Sequence, residues 1–321
     1  MKRFSLTLAA VLLFTAVLGN CVSAETVGQK TIGCIIIADT NPHCLDFAES
    51  FRSIVEGKGD KAIVLAANYD PELLLNCMND LITQGVDGIV LESPDAQAPV
   101  QIIKEAVAKG IPVAASDVLI NIGEDEGILV SQTVSDNYGA GKLCGEDFVK
   151  RIGDAEATVC HIVLEQNAAV TARLQGFLDV ISERPNIKVL EGQQPIPETQ
   201  EREMAIAEAW AQKYDKIDGI FGGGDPIALA FLRGLEAAGM KVNSETGTFI
   251  YGVDGAQDAY ASIKEGKLTG TAKQQPNELA RIPTEDIYTV LAGGTIDHDW
   301  LTYVPVLYVD ATNVDEYIKA N

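Results

Sequence analysis

The chain has 321 residues, enough for about two globular domains at roughly 100–200 residues each. Its balance of 47% hydrophobic, 22% charged and 6% aromatic residues is that of a folded α/β protein and excludes a disordered or collagen-like chain. The net charge of −22 repels phosphate backbones and anionic lipid, so nucleic acid is excluded as a partner and a small ligand is favoured.

At the N-terminus Lys2 and Arg3 precede an apolar run from Phe4 to about Leu18, and Val22-Ser23-Ala24 offers small residues for cleavage. This is the layout of a secretory signal peptide over residues 1–24, too short to span a bilayer comfortably. Leu18-Gly19-Asn20-Cys21 offers a competing reading as a lipoprotein box acylated at Cys21. Asn20 is an awkward residue before such a cysteine, so cleavage after Ala24 is preferred. Processing would leave 22 basic against 46 acidic side chains, a charge of −24, and five cysteines: Cys34, Cys44, Cys77, Cys144 and Cys160. None is spaced C-x-x-C and an odd number cannot all pair, so buried thiols are expected rather than a disulfide framework or a zinc site.

From Thr31 onward short β-branched runs alternate with amphipathic segments, the pattern of βαβ units. Strands are predicted at Thr31–Ala38, Ala62–Ala66, Gly88–Leu91 and Pro112–Ala115, with helices near Cys44–Gly57, Pro71–Gln84 and Ala96–Lys109. In the last helix Val100, Ile103 and Val107 fall on one face, which is predicted to pack on the sheet. The alternation restarts with a helix from Asp136 to Arg151. Strands follow near Ala157–Leu164, Ile187–Leu190, Gly219–Phe221 and Thr248–Tyr251, with helices between. Val86-Asp87-Gly88-Ile89 is echoed by Ile217-Asp218-Gly219-Ile220, so the fold reads as written twice. The predicted fold class is α/β, two doubly wound parallel-sheet lobes.

Ligands of such sheets bind beyond the carboxyl ends of the strands. A cleft between the lobes would then be lined by Asp39 to Cys44, Glu92 to Asp95, Ser116 to Val118, Glu165 to Arg173, Gly222 to Asp225, Asp254 and Gln274. Asp225 before Pro226 also reads as an N-cap with proline at the first helical position. Asp254 could likewise cap the helix after it.

Within that frame the chain resembles the type I periplasmic sugar-binding proteins of ABC transporters, most closely the ribose-binding group. The resemblance runs from about Thr31 to Val309. It rests on Asn41-Pro42, Asp117 after Ile111-Pro112-Val113, Ser135-Asp136-Asn137, Arg173-Leu174-Gln175-Gly176-Phe177, Gly252-Val253-Asp254-Gly255 and Gln274 with Pro276, in that family's order and spacing. It implies lobes of residues 25–135 plus 275–303 and 136–274 plus 304–321, preceded by the 1–24 leader and joined by a three-crossing hinge. It implies a ligand-binding set of Asn41, Asp117, Arg173, Asp254 and Gln274. To these the strand-end positions add His43, Cys44, Glu92 and Asp225 as candidate contacts. Carboxylates and amides that donate or accept, with an Arg fork, suit a ring of hydroxyls.

The chain departs from the family where aromatics sandwich the sugar: His43 and Cys44 follow Asn41-Pro42, and no aromatic lies at Ile196 to Thr199. Val118 and Gly224 stand where the family has Arg and Asn. The departures point away from ribose toward a polyol, a deoxy or amino sugar, or another small polar metabolite. The resemblance further implies a periplasmic monomer without cofactor, metal or catalytic residues, working with the permease subunits of an ABC transporter. The alternative is a sensing module that feeds a chemoreceptor or sensor kinase. Gly222-Gly223-Gly224-Asp225 lacks the Lys-Ser/Thr of a phosphate loop, and G-x-S-x-G and H-E-x-x-H are absent, although Glu92 and Asp117 as a carboxylate pair leave glycoside chemistry as a minor alternative.

Overall fold

A computed structural model describes residues 28–123, 126–165, 167–197 and 199–318. The predicted signal peptide, its cleavage site and Cys21 lie outside the described residues. The first lobe begins with β1 (Thr31–Ile36), α1 (Pro42–Gly57), β2 (Lys61–Ala66), α2 (Pro71–Gln84), β3 (Gly88–Glu92), α3 (Val100–Ala108), β4 (Val113–Ser116) and β5 (Gln132–Ser135). The chain then enters α4 (Asn137–Ile152), β6 (Ala157–Ile162), α5 (Ala168–Ser182), β7 (Ile187–Gln193), α6 (Gln200–Lys213), β8 (Gly219–Phe221), α7 (Asp225–Ala237), β9 (Phe249–Asp254), α8 (Gln257–Lys264) and β10 (Gly270–Lys273). It returns through α9 (Pro276–Leu291) and β11 (Leu301–Val304), and finishes in β12 (Leu307–Asp310).

The strands form two six-stranded sheets of matching order, β11-β5-β4-β3-β1-β2 and β12-β10-β9-β8-β6-β7. The first is parallel throughout; in the second only β12 runs antiparallel, against β10. Because successive strand residues face opposite sides, each sheet carries two apolar layers. In the first, Ile35, Leu91 and Val113 pack toward α2 and α3, and Ile32, Val90 and Ala114 toward α1 and α9. In the second, Ile220 and Ile250 face Trp210 and Phe231, while Phe221 and Tyr251 face Phe148 and Phe177.

The chain leaves the first sheet after Ser135, comes back after Lys273 and crosses again between Val304 and Leu307. Val304 still pairs with Ser135, one residue beyond the crossing read from the sequence. Strand ends differ elsewhere too. β7 runs three residues past Leu190 and β9 three past Tyr251, because ladder partners extend them where hydrophobicity stops. The last predicted helix of the first half starts at Val100, not Ala96, after Pro99. Its buried face is Ile102, Ile103 and Ala106, with Val100 and Val107 at the margins.

The internal echo is structural. Asp87 and Asp218 each accept a hydrogen bond from the first residue or two of the neighbouring strand, Thr31 N at 2.7 Å and Thr158 N at 2.9 Å. Their own amides donate back to the carbonyls of Thr31 and Thr158. Gly88 and Gly219, next in sequence, leave room for Ile287 and Phe148; a Cβ would lie 2.4 and 2.6 Å from those side chains. The five cysteines of the described residues are buried, and none is paired among them.

Candidate functional site

The predicted site residues sort into two polar groups and two side chains absorbed by the protein interior. The first group belongs to the first lobe. Asn41 caps α1: its Oδ1 accepts from His43 N at 3.0 Å, and Pro42 occupies the first turn, where no amide is needed. This cap starts the helix two residues earlier than the predicted start at Cys44 and sends His43 toward Asp117, Nε2 to Oδ1 3.5 Å. Glu92, the last residue of β3, is fully buried. One ligating atom from each of His43, Glu92 and Asp117 lies within 4.8 Å of the others.

The electrostatics of this trio follow from burial and mutual proximity. Burial and the neighbouring Asp117 charge push the Glu92 carboxyl up to about 8, against the opposing pull of His43. Burial lowers His43, but Asp117, Glu92 and Asp254 outweigh it and raise the imidazole to about 9. Burial works to raise Asp117, and His43 and Arg173 prevail to hold it low. Ile37 N donates to Glu92 Oε2 at 3.3 Å, whereas Glu92 Oε1 and His43 Nε2 have no hydrogen-bond partner among the described residues. The 3.5 Å His43–Asp117 approach is therefore an ion-pair contact rather than a hydrogen bond.

The second group is interlocked. Arg173 donates from Nε to Asn137 Oδ1 at 2.8 Å, and from Nη1 to Gly223 O at 2.9 Å and to Asp254 Oδ1 at 3.1 Å. Gln274 Nε2 donates to the same Asp254 oxygen at 2.8 Å, and Ser135 Oγ donates to Gln274 Oε1 at 2.6 Å. The Ser135–Gln274 contact joins two of the three crossings. Helix packing holds Arg173 in place: its carbonyl would lie 1.7 Å from a Cβ on Gly141, and the Tyr138 carbonyl 2.1 Å from one on Gly176. Only glycines at these positions let α4 and α5 approach so closely, which gives the glycine of the Arg173–Phe177 motif its physical role.

Asp117 follows β4 with φ of 67° and Asp254 ends β9 with φ of 124°. Left-handed backbone costs a non-glycine residue on the order of 1–3 kcal/mol, and such strain clusters at functional sites. The two groups feel each other: Arg173 lowers Asp117, and Asp254 raises His43.

Two predicted contacts take other roles. Asp225 is not an N-cap; Gly224 holds that position and Asp225 opens α7. Its Oδ2 accepts from Gly255 N at 2.8 Å and Ala256 N at 2.7 Å, and its Oδ1 from Thr271 Oγ1 at 2.7 Å. Fully buried, it pins the loop that carries Asp254. Burial and the Asp254 charge raise it to about 7, against those hydrogen bonds. Cys44 is 1% exposed, in the core of the first lobe beside Glu92, and burial pushes its thiol up to about 12. The sequence reading missed Asn137 and Gly223 as partners of Arg173, although Asn137 lies in a quoted triplet. It also missed Tyr69, a 60% exposed residue whose hydroxyl accepts from Asn41 Nδ2 at 3.0 Å. Asn68 and Tyr69 both have positive φ, and no motif signals such a turn.

A family model described as "Periplasmic binding protein domain" matches residues 32–295. The chain belongs to that family. Among curated relatives, the ribose import binding protein of Haemophilus influenzae is 26% identical over 297 residues, covering 92% of this chain and 96% of that one. The D-apiose import binding protein of Paraburkholderia graminis is 28% identical over 274 residues, covering 85% and 83%. Among solved structures, a periplasmic ribose ABC transporter protein from Conexibacter woesei superposes with a TM-score of 0.81 at 20% identity, covering 92% of this chain and 96% of that one. A solute-binding protein from Actinobacillus succinogenes with bound D-allose gives 0.80 at 22% identity, covering 90% and 100%. These structural likenesses bear on the fold, and the two-lobed α/β architecture is that of the family.

Proposed function

We propose that the protein is the extracytoplasmic solute receptor of an ABC-type uptake system, closing its lobes around one small polyhydroxy ligand without altering it. The observation that carries this is a pair of polar groups from different lobes within electrostatic reach of each other, each built around an aspartate with positive φ. Arg173 Nη2 and Asp254 Oδ2 have no hydrogen-bond partner among the described residues, so the second lobe offers a donor and an acceptor side by side. Asp117, His43 and Glu92 offer acceptors from the first. Hydroxyls, which both donate and accept, match that mixture.

The hinge divides lobes of residues 25–135 plus 275–303 and 136–274 plus 304–321, with the last crossing shifted to follow Val304. Contacts split between lobes are complete only when closed, so ligand shifts the population toward closure. The ligand-contact set is Asn41, His43, Glu92, Asp117, Arg173, Asp254 and Gln274, with Asp225 and Cys44 supporting it from behind. Tyr69 at the rim supplies an aromatic face near the position where the family's clamp is missing. A leader over residues 1–24 would deliver the chain to the periplasm, where it hands ligand to permease subunits.

The test is a thermal-shift screen of pentoses, hexoses, furanoses, polyols and amino sugars, followed by calorimetry, since a ligand that binds only the native state raises its melting temperature. A micromolar ligand whose affinity falls in Arg173→Ala and Asp254→Ala supports the reading. A ligand bound equally well by both variants would refute the site.

A further inference from the structure

We infer that His43, Glu92 and Asp117 form a binding site for one first-row divalent cation, Zn²⁺ in the test below, on the first-lobe wall of the cleft. Their ligating atoms fall within 4.8 Å of one another. Metal–nitrogen and metal–oxygen bonds of about 2.0–2.2 Å place two donors on a tetrahedral ion roughly 3.3–3.6 Å apart; His43 and Asp117 already stand 3.5 Å apart, and a side-chain rotation of Glu92 would complete the site. A second observation points to a ligand here: Glu92 is 0% exposed and its Oε1 has no hydrogen-bond partner among the described residues. His43 Nε2 is likewise buried and without one. The three groups therefore converge with few donors from the chain among them: the Ile37 amide and the Cys44 thiol on Glu92, and the His43 proton toward Asp117.

Charge and donor type choose the cation. Metal binding would displace the protons that His43 and Glu92 hold near neutral pH, and the resulting imidazole with two carboxylates carries −2, which a divalent ion neutralises. One imidazole and two carboxylates suit Zn²⁺ or Mn²⁺ better than the all-oxygen shells of Mg²⁺ and Ca²⁺. The Cys44 thiol beside Glu92 is buried in the apolar core with the side chains of β1, so it packs behind the site. Arg173 across the cleft already has its charge engaged by Asp254 at 3.1 Å. Three protein ligands leave a coordination position toward the cleft, where a ligand hydroxyl or water can bind, the pattern of metal sites that engage a substrate. The site thus replaces the missing aromatic contact with a polar anchor. Only the identity of that last donor rests on the sugar-receptor reading.

The experiment titrates the chelator-treated, purified chain with ZnCl₂ by calorimetry and native mass spectrometry, with CaCl₂ and MgCl₂ in parallel, and records the visible spectrum with CoCl₂. We expect one Zn²⁺ per chain at micromolar or tighter affinity, at least tenfold weaker Ca²⁺ and Mg²⁺, and a Zn²⁺-dependent rise in melting temperature. His43→Ala and Glu92→Gln should each weaken Zn²⁺ at least tenfold and abolish that rise. His298→Ala, which removes a histidine remote from the trio, should leave it intact. No stoichiometric Zn²⁺ binding, or binding that His43→Ala and Glu92→Gln leave unchanged, overturns the site. The sugar screen run with and without Zn²⁺ separates the two readings. A sugar bound by protein that takes no Zn²⁺ sinks the metal site alone, and Zn²⁺ bound by protein that no sugar affects sinks the sugar reading alone.

Discussion

The two polar groups, one on each lobe, differ in how their members are satisfied. On the second lobe Arg173, Asn137, Asp254 and Gln274 hold one another through bonds of 2.8–3.1 Å, with Asp225 fixing the loop beneath. On the first lobe Glu92, His43 and Asp117 converge with two buried atoms unpartnered. An interlocked face is pre-organised and loses little on binding. A face with buried, unpartnered polar atoms depends on what binds there for its own stability, because buried polar groups without partners cost about 1–3 kcal/mol each. Under the proposed function, the second lobe orients the ligand and the first selects its chemistry.

The strongest way to break that assignment is to remove the centre of the interlocked face. Arg173→Ala strips three hydrogen bonds and leaves Asp254 less supported. Hydrogen bonds to charged groups contribute about 1.5–3 kcal/mol, so ligand affinity should fall roughly ten- to 150-fold, read by calorimetry. Asp225→Ala follows. It leaves the amides of Gly255 and Ala256 and the Thr271 hydroxyl without their acceptor, for a stability loss of about 2–4 kcal/mol in urea unfolding. A loss near zero would show that the Asp254 loop holds itself. Gly176→Ala, which presses a methyl toward the Tyr138 carbonyl, should cost about 1–3 kcal/mol and weaken ligand by displacing Arg173.

The first lobe is probed by pH in chelating buffer. Glu92 rises from 4.5 to about 8 on folding, so the unfolded chain ionises first, and stability is lost as pH climbs from about 4.5 to 8. His43, raised from 6.5 to about 9, contributes stability fully below 6.5 that disappears as pH rises through 9. Both slopes have the same sign. Melting temperature should therefore decline from pH 5 to 9, and Glu92→Gln should flatten the lower part of that decline. An unchanged profile in Glu92→Gln would mean that the buried carboxyl is not the titrating group. The smallest effect is expected from Tyr69→Phe, which removes one exposed hydrogen bond to Asn41 and should change affinity less than tenfold while keeping the ring.

Much of this was legible in the chain itself. The alternation of β-branched runs with amphipathic segments fixed two parallel sheets, the recurrent Val-Asp-Gly or Ile-Asp-Gly turn marked the same edge in each, and order among motifs located Arg173, Asp254 and Asp117. These are local signals: backbone twist, strand-side alternation and cap chemistry act over a few residues, so they survive reading one residue at a time. The side chains' allegiances do not. Whether Asp225 meets ligand or the amides of Gly255 and Ala256 depends on a loop 30 residues away, and Cys44 lies inward because α1 begins at Pro42 under the Asn41 cap. Glu92 becomes a buried carboxylate beside His43 and Asp117 only when β1, β3 and β4 stack in that order. Local propensity settles which elements form, whereas burial and hydrogen-bond partnership depend on distances that exist only after the sheets assemble.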